Sequence, residues 1–160
     1  MTEEERAWAY ALRLLSIRPR AREELRLRLV RRGFSSEVVE RVLTRAEEAA
    51  LLDDRAFAQL YAEDRLLSRP CPRRRVAWEL KARGVAAPLA EEAARSVLPE
   101  LSEEDLARQA LAARRKLWEG LPPAVALRRA YSFLLRRGFP PDLARRIAEE
   151  AFGPWTSASE

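Results

Sequence analysis

Histidine is absent from this 160-residue chain, and cysteine occurs only once, at Cys71. Without histidine the chain lacks the most common general base and the most common metal ligand. A single cysteine forms neither an internal disulfide nor a thiolate zinc site. No glycine-rich motif of the kind that cradles nucleotide phosphates occurs either. We therefore predict a protein without catalytic residues, bound metal or cofactor.

Long hydrophobic runs are also missing. No stretch of 18 apolar residues occurs, and a membrane-spanning helix needs at least that length. The N-terminal segment MTEEERAWAY is acidic and lacks the apolar run of a signal peptide. The lone cysteine suits a reducing compartment. These features predict a cytoplasmic protein that does not associate with membranes.

Helix-forming residues and charge are what the sequence has in abundance. Hydrophobic residues make up 48% and charged residues 34% of the chain. Ala, Leu, Arg and Glu dominate while β-branched residues are sparse, which predicts an all-α protein. The net charge of +5 favours an anionic partner. All basic residues except Lys81 and Lys116 are arginine, as expected for forked contacts to phosphate or carboxylate, or for a GC-rich or heat-adapted source.

Three segments of the sequence resemble one another. They read LVRRGFSSEVVERV, LKARGVAAPLAEEA and LLRRGFPPDLARRI, and begin at positions 29, 80 and 134. In each segment an aliphatic residue stands four positions before a glycine, and apolar residues follow five and nine positions after it. The glycines lie 51 and 54 residues apart, at Gly33, Gly84 and Gly138. The sequence therefore predicts three repeats.

The glycine indicates how each repeat folds. It suits the left-handed position that ends a helix, and the apolar residue after it can fold back over the last helical turn. Ser36 is then the expected N-cap of the next helix in the first repeat, while Pro88 and Pro141 suit the first turn of its equivalents. A further helix precedes each pair. We predict a tandem array of three three-helix repeats, elongated and either straight or curved, because units this small must pack on their neighbours.

The repeats are placed at residues 1–52, 53–100 and 101–152, followed by a tail at residues 153–160. We expect this tail, which contains Trp155, to be frayed. The first helix of the first repeat begins in a capping box from Thr2 to Glu5. The pair Asp53 and Asp54 is interpreted as a helix cap rather than a paired-carboxylate active site. The first helix of the third repeat is expected to begin in the acidic segment after position 101.

Each first helix also has an expected apolar side. In the fourth helix, Phe57 and Tyr61 stand one turn apart and are interpreted as core residues rather than partner contacts. The expected apolar positions of the first helix are Trp8, Leu12 and Leu15, and those of the seventh helix are Leu106, Ala110, Ala113 and Leu117.

Positive charge is concentrated in the middle helix of each repeat. Residues 18–32 hold seven arginines against two glutamates, a net charge of +5. Residues 69–83 hold six basic residues against one glutamate, again +5, and residues 128–137 hold four arginines and no acid. Basic residues also favour helix C-termini, and charged residues commonly fill solvated faces. The helix dipole favours basic residues at C-termini, so it does not explain Arg73, Arg74 and Arg75, which stand near a helix start. We therefore predict that the basic residues of the middle helices bind a partner. These residues are Arg28, Arg31, Arg32, Arg73, Arg74, Arg75, Lys81, Arg83, Arg128, Arg129, Arg136 and Arg137.

Several motifs of the chain resemble those of the RecX family. The pattern L-D-D-x-x-F-A-x-x-Y-x-x-x-R runs from Leu52 to Arg65, and a basic helix that ends in E-L-x-x-x-G and a hydrophobic residue follows it, from Glu79 to Val85. The segments ALRLLSIRPRAREEL and LVRRGF are similar to the opening of RecX proteins, and FLLRRGF is similar to their third repeat. The resemblance covers roughly residues 7–152. The turn at residues 68–72, S-R-P-C-P, departs from the glycine that is common there, and we expect it to be stiffer.

The resemblance implies a regulator of homologous recombination and DNA repair. RecX proteins bind the RecA recombinase and its filament on single-stranded DNA, and limit filament growth, ATP hydrolysis and strand exchange. The expected partners are therefore RecA and its nucleoprotein filament. Direct contact with single- or double-stranded DNA is left open, and we expect a monomer. Two alternatives remain: a DNA-binding protein of tandem helix-turn-helix-like repeats that acts without RecA, and a scaffold whose charges only solubilise its helices.

Overall fold

The computed structural model describes residues 1–155. Within them the chain forms nine α-helices, one short 3₁₀ helix and no strand, so the all-α prediction is confirmed. The helices follow one another as three tandem three-helix repeats, α1–α3, α4–α6 and α7–α9. Their bounds are α1 Glu3–Ile17, α2 Arg22–Arg31, α3 Ser36–Glu48, α4 Asp54–Ser68, α5 Arg73–Ala82, α6 Ala87–Ser96, α7 Glu103–Ala112, the 3₁₀ helix Arg115–Trp118, α8 Pro123–Arg136 and α9 Pro141–Phe152.

The helix starts follow the expected capping chemistry with one correction. Thr2 and Glu5 form a capping box on α1, as predicted, and Ser102 and Asp105 form another on α7. The predicted N-cap of α3, Ser36, is wrong by one residue. Ser35 is the N-cap, because its backbone is extended and its side chain accepts from the Val38 amide, whereas Ser36 is already helical. Either serine fits the sequence pattern, and only the backbone conformation separates them.

The second helix of each repeat ends at the glycine, as predicted. Gly33, Gly84 and Gly138 have φ values of +97°, +89° and +99°. In the first repeat the amide of Gly33 donates to the Val30 carbonyl, and the amide of Phe34 donates to the Leu29 carbonyl. The same pair of bonds occurs in the other two repeats. These paired bonds form the Schellman arrangement, in which the left-handed glycine lets the chain satisfy the last helical carbonyls.

The described helices belong to two compact units. The first comprises Met1–Ala62 and Ala77–Ala94. Its core includes Leu25 and Leu29 of α2 together with small residues of α1, Ala7 and Ala11, which are fully buried. The predicted apolar side of α1 is therefore shifted. Ala7, Ala11 and Leu14 are spaced four and three residues apart and form the stripe of α1 that faces the core. Leu12 lies off this stripe and is exposed, while Trp8 and Leu15 lie at its edges and are partly buried.

The second unit comprises Glu63–Val76 and Arg95–Glu160. The prediction that α7 continues to Leu117 is wrong, because the helix ends at Ala112 and the 3₁₀ helix follows. This tighter turn leaves Leu117 exposed and buries Trp118 instead. The ring centroid of Trp118 lies 5.8 Å from that of Phe133 and 6.1 Å from that of Phe152. Covering this large aromatic surface gives a physical reason for ending α7 early.

The predicted fraying of the tail is wrong for its first residues. Trp155 is half-buried, and its ring lies edge-on to Tyr131 with 5.3 Å between the centroids. Its backbone amide donates to the Glu149 carboxylate at 3.0 Å. The rest of the tail, residues 156–160, lies outside the described residues. Across residues 1–155 no helix combines the length and apolarity needed to cross a membrane.

Candidate partner-binding surface

The twelve basic residues predicted to bind a partner lie on α2, α5 and α8 or at the C-terminal ends of these helices. Their assignment to partner binding stays a prediction, but the structure sorts them by exposure. Four are half-buried: Arg73, Arg75, Arg83 and Arg137. The others are exposed: Arg28, Arg31, Arg32, Arg74, Lys81, Arg128, Arg129 and Arg136.

The three consecutive arginines at the start of α5 bind backbone carbonyls of the second unit. The Arg73 guanidinium donates to the Leu98 carbonyl at 2.6 Å and the Leu101 carbonyl at 2.9 Å, and it also reaches the Val97 carbonyl. Arg74 donates to the carbonyl at position 138, and Arg75 to that at position 136, both at 3.0 Å. The carbonyls at the C-terminal end of a helix carry partial negative charge. These arginines therefore have an internal role that their sequence position did not indicate.

Arg83 belongs to a small polar network in the first unit. Its guanidinium lies 3.0 Å from the Glu24 carboxylate and stacks over the Tyr61 ring, 4.8 Å from the centroid. The Tyr61 hydroxyl donates to Glu79 at 2.9 Å. Burial and this bond to Glu79 raise the pKa of Tyr61. Burial lowers the pKa of Arg83, but the hydrogen bond to Tyr61 and the charge of Glu24 outweigh it and raise the pKa overall.

Arg137 lies in a crowded basic environment in the second unit. Its guanidinium donates to the Pro70 carbonyl at 3.0 Å and stacks on Phe133, 4.8 Å from the ring centroid. Burial lowers the pKa of Arg137, and the charges of Arg114, Arg69 and Arg65 lower it further. The proline-containing turn that departs from the family pattern thus has a structural partner, since Pro70 and its two successors are buried.

The exposed arginines of α8 line a cleft of their own. Arg128, Arg129 and Arg136, together with Ser132 and Trp118, enclose about 540 Å³ in the second unit. Within the described residues, none of these three arginines forms an ion pair with a carboxylate. The guanidinium groups at this cleft are therefore available to an anionic partner.

Lys81 and Trp78 stand three residues apart on α5 in the first unit. The Lys81 ammonium lies 2.8 Å from the Glu91 carboxylate. Trp78 is 69% exposed, although an exposed tryptophan leaves a large apolar area in water. Trp78 is not among the residues that the sequence predicted to bind a partner. Its exposure could have been predicted from the sequence, because Trp78 lies off the apolar stripe formed by Val76 and Leu80, which are both fully buried.

The pair Asp53 and Asp54 serves as helix caps, as interpreted from the sequence. Asp53 accepts from the Ala56 amide at 3.1 Å within its own helix. Asp54 accepts from the Arg22 amide at 2.9 Å, so it caps α2 of the preceding repeat. In the part of the chain that the structure describes, no group of three or more His, Cys, Asp or Glu side chains is placed to hold a metal ion.

Three family models match the chain in order. The model described as RecX, first three-helix domain, matches residues 7–45. The models of the second and third three-helix domains match residues 53–93 and 102–147. Together they cover well over half of the chain, and each match falls on one helical triplet.

Comparison with whole proteins gives the same result. A regulatory protein RecX of Streptomyces coelicolor is 39% identical over 147 residues, covering 92% of this chain and 78% of that protein. Another, from Thermobifida fusca, is 39% identical over 148 residues, with coverages of 91% and 78%. A third, from Prosthecochloris aestuarii, is 35% identical over 142 residues, with coverages of 88% and 89%.

Two solved structures share the fold. The crystal structure of RecX from Lactobacillus salivarius superposes with a TM-score of 0.69 at 16% identity, covering 92% of this chain and 96% of that one. A crystal structure of a regulatory protein RecX gives a TM-score of 0.73 at 19% identity, with coverages of 92% and 73%. At these identities the likeness concerns the helical architecture alone.

Proposed function

The chain belongs to the RecX family, and from that premise we propose that it binds the RecA recombinase and its filament on single-stranded DNA. Binding limits RecA ATP hydrolysis, filament growth and strand exchange. The protein acts by binding rather than by catalysis, as a monomer in the cytoplasm. The relatives carry the name regulatory protein RecX, which supports a regulatory role without specifying the inhibited step.

The observation that carries the proposal is the recurrence of exposed arginines on the middle helices. On α2 these residues are Arg28 and Arg31, with Arg32 directly after the helix end. On α8 they are the three arginines of the cleft that contains Ser132. Guanidinium groups at the surface attract an acidic protein surface or phosphate over long range, and this steering accelerates association at low salt.

The internal hydrogen bonds of α5 reduce the number of its residues that we propose to contact RecA. Arg73 and Arg75 are half-buried and already bound to carbonyls, so moving them to a partner would break bonds inside the second unit. Lys81 and the neighbouring Trp78 are better placed on this helix. Exposed tryptophans are enriched among the residues that dominate binding energy at protein interfaces. We therefore assign the α5 contribution to Trp78 and Lys81.

The rival function, helix-turn-helix binding to duplex DNA without RecA, is disfavoured by α3. In such a motif the last helix of a triplet enters the major groove. The acidic residues Glu40 and Glu47 of α3 lie on the face that Arg22 binds, at 3.0 and 2.7 Å. Residues 36–48 hold four glutamates against two arginines, and a helix with this net negative charge is repelled by phosphates.

The test is the DNA-dependent ATPase of RecA, measured with and without the protein. We expect inhibition that saturates and weakens with added salt. The double variant Arg128→Ala/Arg129→Ala should inhibit at least tenfold less effectively. The matched control, Arg55→Ala/Arg146→Ala, removes the same charge at exposed sites outside the proposed surface. No inhibition by the wild-type protein at several-fold excess over RecA would contradict the proposal.

A further inference from the structure

A cleft in the first unit combines aromatic rings with guanidinium groups. It has a volume of about 550 Å³, and its walls come from α1 and from the turn that follows α2. The side chains that matter for its chemistry are Arg6, Tyr10, Arg13, Arg32 and Phe34. It differs from the α8 cleft in having two aromatic rings close to each other.

The rings and guanidinium groups form a layered arrangement. The ring centroids of Tyr10 and Phe34 lie 6.4 Å apart. The guanidinium carbon of Arg32 lies 4.6 Å from the Tyr10 centroid, and that of Arg13 lies 5.8 Å from it. Tyr10 and Phe34 are half-buried, whereas both arginines are exposed. The cleft thus offers flat π surfaces beside guanidinium forks that remain open to water.

Positive charge in the cleft is not balanced by carboxylates. Glu3 is the one acidic residue in its lining, and its carboxylate accepts from the Ser35 amide at 2.7 Å. Among residues 1–155, no ion pair joins Arg13, Arg28 or Arg32 to a carboxylate. A hydrogen bond from Arg28, together with the charges of Arg28 and Arg32, outweighs burial and lowers the pKa of Tyr10. The local field therefore favours an anion.

We propose that this cleft binds a nucleotide, with its phosphate held by Arg13 and Arg32 and its base packed against Phe34 and Tyr10. Guanidinium forks match the oxygens of a phosphate group, and a partly exposed ring beside them can stack on a base of any sequence. A peptide carboxylate would satisfy the arginines but would leave the ring surfaces uncovered. A nucleotide supplies the anion and the flat aromatic group in one molecule.

The same chemistry has two sources, a free nucleotide and a nucleotide unit within a single strand. An open cleft accepts either, and a strand would also pass the exposed Arg6 and Arg28 nearby. Each additional neutralised phosphate of a single strand steepens the logarithmic dependence of affinity on salt by about 0.7. The salt dependence therefore separates a strand, which spans several phosphates, from a free nucleotide.

The experiment uses the full chain without RecA, so its outcome is independent of the regulatory function proposed above. Fluorescence anisotropy of a dye-labelled oligo-dT and of dye-labelled ADP is measured at increasing salt concentrations, and unlabelled ADP is added as competitor of the oligonucleotide in a further arm. The test variant is Arg13→Ala/Arg32→Ala. The control is Arg55→Ala/Arg146→Ala, which removes the same formal charge at exposed positions away from the cleft. Thermal unfolding of all variants checks that they are folded.

We expect saturable binding that weakens at least tenfold in the test variant and less than about threefold in the control. If ADP displaces the oligonucleotide at concentrations similar to the dissociation constant of the oligonucleotide, the ligand is a free nucleotide. Binding of the strand that ADP does not displace identifies single-stranded nucleic acid. The proposal is overturned if neither ligand binds, or if the test variant and the control lose affinity equally.

Discussion

The three repeat glycines share one backbone conformation but differ in what surrounds them. A Cβ atom added at Gly84 would lie 2.3 Å from Cβ and 2.6 Å from Cγ of Glu23. At Gly33 an added Cβ meets nothing within 4 Å, and at Gly138 the nearest atom, in the Arg75 side chain, is at an ordinary 3.6 Å. Substitution by alanine therefore separates backbone strain from steric overlap, with Gly33 and Gly138 as built-in controls.

The expected magnitudes follow from these distances. Left-handed backbone costs a residue with a Cβ about 1–2 kcal/mol, and this cost applies at all three sites. At Gly84 the clash involves the Cβ of Glu23, which is bonded directly to the backbone, so a rotamer change cannot relieve it. Overpacking of this kind adds about 1–3 kcal/mol. We expect Gly84→Ala to cost about 2–5 kcal/mol in total.

The assay is thermal and urea unfolding of the three single variants beside the wild type. In a protein of this size each kcal/mol lowers the melting temperature by about 2–4 °C. The melting temperatures of Gly33→Ala and Gly138→Ala should therefore be similar, and that of Gly84→Ala should be clearly lower. Adding Glu23→Ala to Gly84→Ala should not restore stability, because that variant keeps the Cβ atom. Equal losses at the three glycines would refute a rigid contact between α2 and the end of α5.

Three further predictions concern stability. Trp118→Ala should lower the free energy of unfolding by about 3–5 kcal/mol, since a buried aromatic residue is removed; a loss below about 1 kcal/mol in urea titration would contradict this. Arg73→Ala should cost about 2–3 kcal/mol by the same measurement, whereas the exposed Arg128→Ala should change it by less than about 0.5 kcal/mol. Burial raises the pKa of Glu24, but the Ala21 amide, Arg18 and Arg83 outweigh it and hold the pKa below 4.5. Because the pKa is lower in the folded protein, ionised Glu24 stabilises the fold above about pH 4.5. The free energy of unfolding of the wild type should exceed that of Glu24→Gln at pH 7, and this difference should shrink as the pH falls to 3. A difference that grows on acidification would contradict a stabilising role of the Glu24 carboxylate.

Local chemistry in this chain was predictable from sequence because its partners are close along the chain. The Schellman ends at the glycines and the capping boxes at Thr2 and Ser102 involve residues at most five positions apart. The errors also have local causes. Ser35 and Ser36 are equally good caps, and nothing in the periodicity marks the change from α7 to a 3₁₀ helix that buries Trp118.

The roles of the arginines were not predictable in the same way. Arg73 binds carbonyls 24–28 residues away, and Arg75 binds one 61 residues away. A guanidinium that binds a backbone carbonyl leaves no trace in side-chain patterns, because every residue carries the acceptor. The sequence therefore indicated that the middle helices are basic, while the division between internal and exposed arginines depends on tertiary structure.

The arginines at the start of α5 have a consequence for the modularity of the fold. Repeat proteins with a uniform interface tolerate duplication, deletion and exchange of their units. Here the first and second repeats are joined by a hydrogen bond from the Arg22 amide to the Asp54 carboxylate and by the ion pair between Arg83 and Glu24. The second and third repeats are joined by hydrogen bonds from the Arg74 and Arg75 guanidinium groups to the backbone carbonyls at positions 138 and 136, at the C-terminal end of α8. Because the two junctions use different chemistry, the repeats have a fixed order: a chain with its second and third repeats exchanged would have mismatched donors and acceptors at both junctions.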